Sequence, residues 1–129
     1  MTKKLKDNTV LIIEDDLAFR TFTRRVLELE RYRVLEATTG EEGLKLLRDT
    51  QVNLVLLDLK LPDINGWTVL EHIKSETEIS AIPVIILTAS VGVPQQDPSL
   101  ATDAAYYLTK PMSVACLKSA VARILKSKR

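Results

Sequence analysis

The chain has 129 residues, with Lys and Arg totalling 18 against 17 Asp and Glu, for a formal charge of +1. That length suits one domain with a real core and leaves no room for a second of full size. The even charge balance excludes the basic excess behind sequence-independent nucleic-acid binding. The single cysteine, Cys116, excludes an internal disulfide, and no apolar leader or spanning run appears near Met1 or elsewhere. The expectation is a cytoplasmic domain that binds neither nucleic acid nor membrane. Its core runs over about residues 8–126, between frayed, solvated basic ends: Lys3, Lys4 and Lys6, and Lys126, Lys128 and Arg129.

In chain order, short apolar runs recur at Val10 to Ile13, Leu54 to Leu57 and Val84 to Leu87. None alternates with polar residues, as expected of central parallel strands covered on both faces. Two weaker runs, Tyr32 to Leu35 and Tyr106 to Leu108, suit strands nearer the edges. Helical spacing fills the intervals: Phe19, Phe22, Val26 and Leu29; Leu44 and Leu47; Val69, Leu70 and Ile73; Val114, Leu117, Val121 and Ile124. Thr39 with Glu42, Asn65, and Ser113 after Pro111 mark helix starts. Alternation of strand and helix implies right-handed crossovers and a parallel sheet with helices on both faces.

The segment from Val91 to Ala105 breaks the pattern, because Pro94 and Pro98 fall where a fourth helix belongs. Asp97 before Pro98 reads as a cap and first-turn pair, so a short or irregular helix is expected from about Pro98 to Asp103. Cys116, among Val114, Leu117 and Val121, is expected to be a small buried hydrophobe. The lone histidine, His72, lies beside the apolar face of its helix and is expected at a solvated boundary.

Chemistry in such a sheet sits at the carboxyl ends of the strands, where strand order reverses. Those ends carry Glu14-Asp15-Asp16, Asp58, Thr88 and Lys110-Pro111. Asp16 reads as an ordinary helix cap. Glu14, Asp15 and Asp58, if their strands are neighbours, need a neutralising charge, and a hard oxygen-seeking cation such as Mg2+ suits them because it keeps several waters. With a hydroxyl at Thr88 and an ammonium at Lys110, the set suits phosphoryl transfer to a carboxylate, with the aspartate as nucleophile.

The sequence resembles the CheY-like receiver domain of bacterial two-component response regulators over nearly all its length. The resemblance rests on Leu11-Ile-Ile-Glu14-Asp15-Asp16, Leu57-Asp58-Leu-Lys-Leu-Pro62-Asp63-Ile-Asn-Gly66, Leu87-Thr88-Ala89 and Tyr107-Leu-Thr-Lys110-Pro111. It implies a doubly wound five-stranded parallel sheet of flavodoxin-like order 2-1-3-4-5. Asp58 is then the phosphoacceptor, and Glu14, Asp15, Asp58 and the backbone carbonyl of Lys60 hold Mg2+. Thr88 and Lys110 contact the phosphoryl group, and Thr88 and Tyr107 form the switch. Pro111 follows a cis bond, and Lys60 and Ser90 tune dephosphorylation.

The implied donor is a histidine kinase or phosphotransfer protein, and the implied output is binding of a downstream protein. A homodimer through the fourth helix, fifth strand and fifth helix is a further implied partner. The protein is then a switch rather than a metabolic enzyme, either a lone receiver or one domain of a longer protein. A receiver-like module that binds partners without phosphate cycling is the alternative. An aspartate-dependent hydrolase fits less well, because Lys60 stands where a second acid is expected two residues after Asp58. Departures from the family pattern are the Gly92, Pro94 and Pro98 segment, Asp103 in place of a frequent glycine, and Met112 in place of phenylalanine.

Overall fold

The five expected strands and the helix starts marked by Thr39, Asn65 and Ser113 are present in a computed structural model, which describes residues 8–89 and 104–126. The strands are β1 Thr9–Ile13, β2 Arg33–Ala37, β3 Leu54–Asp58, β4 Val84–Thr88 and β5 Tyr106–Thr109. The helices between and after them are α1 Leu17–Leu29, α2 Gly40–Asp49, α3 Gly66–Ser75 and α4 Val114–Lys126. The short helix expected near Pro98, Ser90, and the basic residues Lys3, Lys4, Lys6, Lys128 and Arg129 lie outside the described residues.

All four strand pairings are parallel, in the order β2-β1-β3-β4-β5. Because successive side chains point to opposite faces, each continuous apolar run supplies two cores at once. Leu11, Ile13, Val55, Leu57, Val84 and Ile86 pack on the side of α2 and α3. Val10, Ile12, Leu54, Leu56, Ile85 and Leu87 pack on the side of α1 and α4. This double coverage is why none of these strands alternates with polar residues. The edge strands differ as expected: β2 exposes Arg33 and Glu36, and Tyr106 on β5 is 42% exposed.

The caps are the anticipated ones. Thr39 Oγ1 accepts from Glu42 N–H at 3.1 Å, Asn65 Oδ1 from Trp67 N–H at 2.7 Å, and Ser113 Oγ from Cys116 N–H at 3.0 Å. The reciprocal half of the first capping box is shifted by one residue, with Glu42 Oε1 accepting from Thr38 N–H at 2.8 Å.

Four expectations are corrected: Leu29 and Val114, read as part of apolar helix faces, are 81% and 47% exposed, and Tyr32 and Cys116 also differ. Tyr32 is buried but does not open β2, because it completes the end of α1. Arg31 takes a left-handed φ of 73° and donates to Glu28 O, while Tyr32 N–H donates to Leu27 O at 3.1 Å. That is the Schellman arrangement, built on arginine instead of glycine, and the strand starts one residue later. Cys116 is exposed rather than buried. The buried stripe of α4 is Leu117, Ala120, Val121 and Leu125, and a residue one position from Leu117 is turned about 100° away from it.

Candidate functional site

β1 has β2 on one side and β3 on the other, so strand order reverses between β1 and β3. Glu14 directly follows β1 and Asp58 ends β3, which brings them to that switch point. Carboxylate oxygens of Glu14, Asp15 and Asp58 all lie within 4.8 Å of one another. Glu14 is fully buried, Asp58 is 6% exposed, and Asp15 faces solvent. At such a separation each pair of charges repels by about 3 kcal/mol at an effective dielectric of ~20.

Lys110 supplies part of the compensation. Lys110 N–H donates to Thr88 O at 2.8 Å, tying the end of β5 to that of β4, and the Lys110–Pro111 peptide bond is cis. The ammonium lies 2.5 Å from Glu14 Oε1 and 3.5 Å from Asp58 Oδ2. It also stands 4.5 Å from the centroid of the Phe19 ring, a cation–π contact that holds the lysine from the α1 side. Phe19, expected only as part of the apolar face of α1, thus also forms a wall of the site.

One positive charge does not balance three negative ones. Burial pushes the Glu14 carboxyl up to about 7; neighbouring Asp58 adds to the rise, while Lys110 and the Asp16 amide oppose it. Glu14 Oε2 accepts from Asp16 N–H at 3.1 Å. Glu14 Oε1 is buried and pairs with the Lys110 ammonium. Three carboxylates with oxygens within 4.8 Å of one another, sharing one lysine, are a donor set that fits a hard divalent cation.

Of the other predicted positions, Lys60 lies two residues after Asp58 and Thr88 ends β4. Lys60 is exposed, and its N–H donates to Asp58 Oδ1 at 3.3 Å. Thr88 is 4% exposed. Tyr107 is half-buried and its ring meets that of Trp67 at 6.4 Å between centroids and 53°. Ser90 lies outside the described residues. Asp16 is the N-cap of α1, with Oδ1 accepting from Ala18 N–H at 3.2 Å, as the cap reading required. His72 is exposed on α3.

Gly66 has a structural task at the site that is steric. Its N–H donates to Leu59 O at 2.9 Å, and a Cβ there would lie 2.5 Å from Asp58 O and 2.6 Å from Leu59 Cα. The first turn of α3 therefore rests on the backbone that carries Asp58. Two residues have roles that the sequence did not show. Asp63 crosses to cap α2, with Oδ1 accepting from Gly40 N–H at 2.8 Å and Oδ2 from Glu41 N–H at 2.9 Å. Arg20 reaches back from α1 to the carbonyl of Glu14 at 2.9 Å. Neither has a local signal, since their partners lie on other elements or across a turn.

A flavodoxin-like parallel sheet with an acid cluster faced by a lysine at its switch point defines a class: the CheY-like signalling domains. The chain belongs to the response regulator receiver domain family, whose model matches residues 10–122. The general function of that family is phosphorylation-based switching in two-component signalling. Transcriptional regulatory protein AfsQ1 of Streptomyces coelicolor is 35% identical over 118 residues, which are 92% of this chain and 51% of that protein. The KDP operon transcriptional regulatory protein KdpE of Escherichia coli K12 is 38% identical over 110 residues, 85% of this chain and 48% of that protein. A solved CheY-like response regulator receiver domain protein from Methanospirillum hungatei JF-1 superposes with a TM-score of 0.84 at 31% identity, covering 93% of this chain and 94% of that one. The chain spans about half the length of these two curated relatives.

Proposed function

We propose that Asp58 accepts a phosphoryl group and that the chain is a single receiver domain, with its core over about residues 8–126, whose protein-binding surface changes when it does. The observation that carries this reading is Asp58 Oδ2 at 3.5 Å from Lys110 Nζ, within an acid trio gathered to 4.8 Å. An Asp58 oxygen attacks the phosphorus of a phosphohistidine on a histidine kinase or phosphotransfer protein. The P–O bond forms as the P–N bond breaks, and the imidazole leaves with the electron pair and takes up a proton. Lys110 pairs with one oxygen of the acyl phosphate and the Thr88 hydroxyl with another. Mg2+ held by Glu14, Asp15, Asp58 and the Lys60 carbonyl would supply charge neutralisation for the incoming group.

Thr88 and Tyr107 then form the switch, and Lys60 and Ser90 tune dephosphorylation. The surface that responds includes β5 and α4, and serves a downstream protein or a second copy of the chain. Among the described residues no helix is long and apolar enough to cross a membrane, in keeping with a cytoplasmic role. With Mg2+ and a small acyl-phosphate donor, intact mass is expected to rise by one phosphoryl group in the wild type and not in Asp58→Asn. An unchanged wild-type mass across a range of donors refutes the reading.

A further inference from the structure

We infer that Arg20 is a positioning residue for the divalent-cation site, holding the peptide plane between Glu14 and Asp15 so that both carboxylates converge on Asp58. The inference rests on the proposed role of those acids as cation ligands.

The two acids are consecutive, so one peptide plane joins them, and because that unit is planar its rotation moves both. The Glu14 N–H is anchored to β2 by donating to Ala37 O at 2.9 Å. The next plane begins with the Glu14 carbonyl, and that oxygen accepts from Arg20 Nη1 at 2.9 Å. Arg20 is itself fixed at both ends. Its backbone N–H donates to Asp16 O at 2.9 Å in the first turn of α1. Its Nε donates to Glu36 Oε1 on β2 at 2.9 Å, and the other oxygen of Glu36 faces Arg24 Nε at 3.2 Å. The side chain is only 13% exposed. Arg20 therefore ties the β1–α1 turn and the neighbouring strand, through its guanidinium, to the first turn of α1, through its backbone.

A positive charge this near a cation site would by itself oppose the cation. Glu36 offsets that charge, which leaves geometry as the contribution of Arg20. Two donors in a rigid planar fork are needed for the two acceptors; the point charge of lysine cannot serve both in the same way.

Charge and geometry separate on substitution. In Arg20→Lys the charge stays and the fork is lost. Titration of the purified protein with MgCl2 by calorimetry is expected to show about tenfold weaker binding, the low end for a residue that orients metal ligands. The Mg2+ concentration for half-maximal phosphorylation by an acyl-phosphate donor should rise in parallel, with the plateau unchanged at saturating Mg2+. A variant that is merely less stable would lose plateau and binding stoichiometry while keeping its Kd. Wild-type Kd in Arg20→Lys overturns the inference, as does the pair of results in which Arg20→Gln tightens binding while Arg20→Lys leaves it alone. Should Arg20→Lys lack a cooperative melt, Arg20→Gln takes its place: weaker Mg2+ binding is expected although a positive charge is lost, and unchanged or tighter binding overturns the inference. Absence of Mg2+ heat in the wild type would instead remove the cation reading itself, and this inference with it.

Discussion

Gly66→Ala opposes two effects of different sign at the residue on which α3 meets the phosphoacceptor strand. In an ordinary helix the change favours folding by about 1 kcal/mol, since alanine is the better helix former. Here the added Cβ would stand 2.5 Å from Asp58 O, whereas ordinary contact begins near 3.4 Å, so helix and strand must part by about 0.9 Å. Both crowding atoms, Asp58 O and Leu59 Cα, are backbone, so no rotamer change relieves them. Overpacking of this kind costs about 1–3 kcal/mol or more, and the Gly66 N–H to Leu59 O bond it strains is worth about 1 kcal/mol. The net expectation is a loss of about 1–3 kcal/mol, the reverse of the propensity effect. Urea denaturation should show a lower Cm with an unchanged slope. Phosphorylation of Asp58 should slow as well, because the displaced backbone carries the acceptor. A variant as stable as the wild type, or more so, would show that α3 retreats without cost and would refute the close-approach argument.

Two further predictions concern positions whose roles the fold reveals. Asp63→Ala removes both acceptors at the start of α2 and should cost about 1 kcal/mol at pH 7, in the usual range for a lost N-cap. Burial works against ionisation of Asp63, but the N–H groups of Glu41, Gly40, Ile64 and Asp63 together outweigh it and hold the carboxyl below its ordinary value. A depressed folded value means that the stabilisation is present above the unfolded value of 3.8 and fades as pH falls through the lower, folded one. The gap between wild type and variant in urea melts should therefore narrow on acidification from 3.8 down through the folded value; a constant gap would show that the charge plays no part. Cys116, being exposed, should react stoichiometrically with a thiol reagent in the native protein. Labelling only in denaturant would show instead that the thiol is buried.

The core and the acid site were largely legible in the sequence because each rests on a local period. Leu54 to Leu57 reads as a doubly covered strand since every side chain in it is apolar, and both faces of β3 are in fact buried. Thr39, Asn65 and Ser113 announce helix starts because a cap bonds only two or three residues ahead. Cys116 misled because its apolar neighbours suggested burial, although a step of about 100° along the helix turns it away from their stripe. Tyr32 misled because an apolar residue in the Schellman turn of α1 looks like the first residue of a strand.

Sequence alone thus determined the alternation of strand and helix, the two-sided core, and which acids, hydroxyl and lysine stand at strand ends, since all of these depend on neighbours within one turn or one pleat. Tertiary structure decided the rest, where partners are far apart along the chain: Lys110 against Glu14 and Asp58, Asp63 on the start of α2, and α3 seated on the backbone of Asp58. It also decided what the Arg20 guanidinium joins, through Glu36 on β2. Glu14, Asp15 and Asp58 were visible as acids at strand ends; strand order and the packing of α1 and α3 placed their oxygens within 4.8 Å of one another.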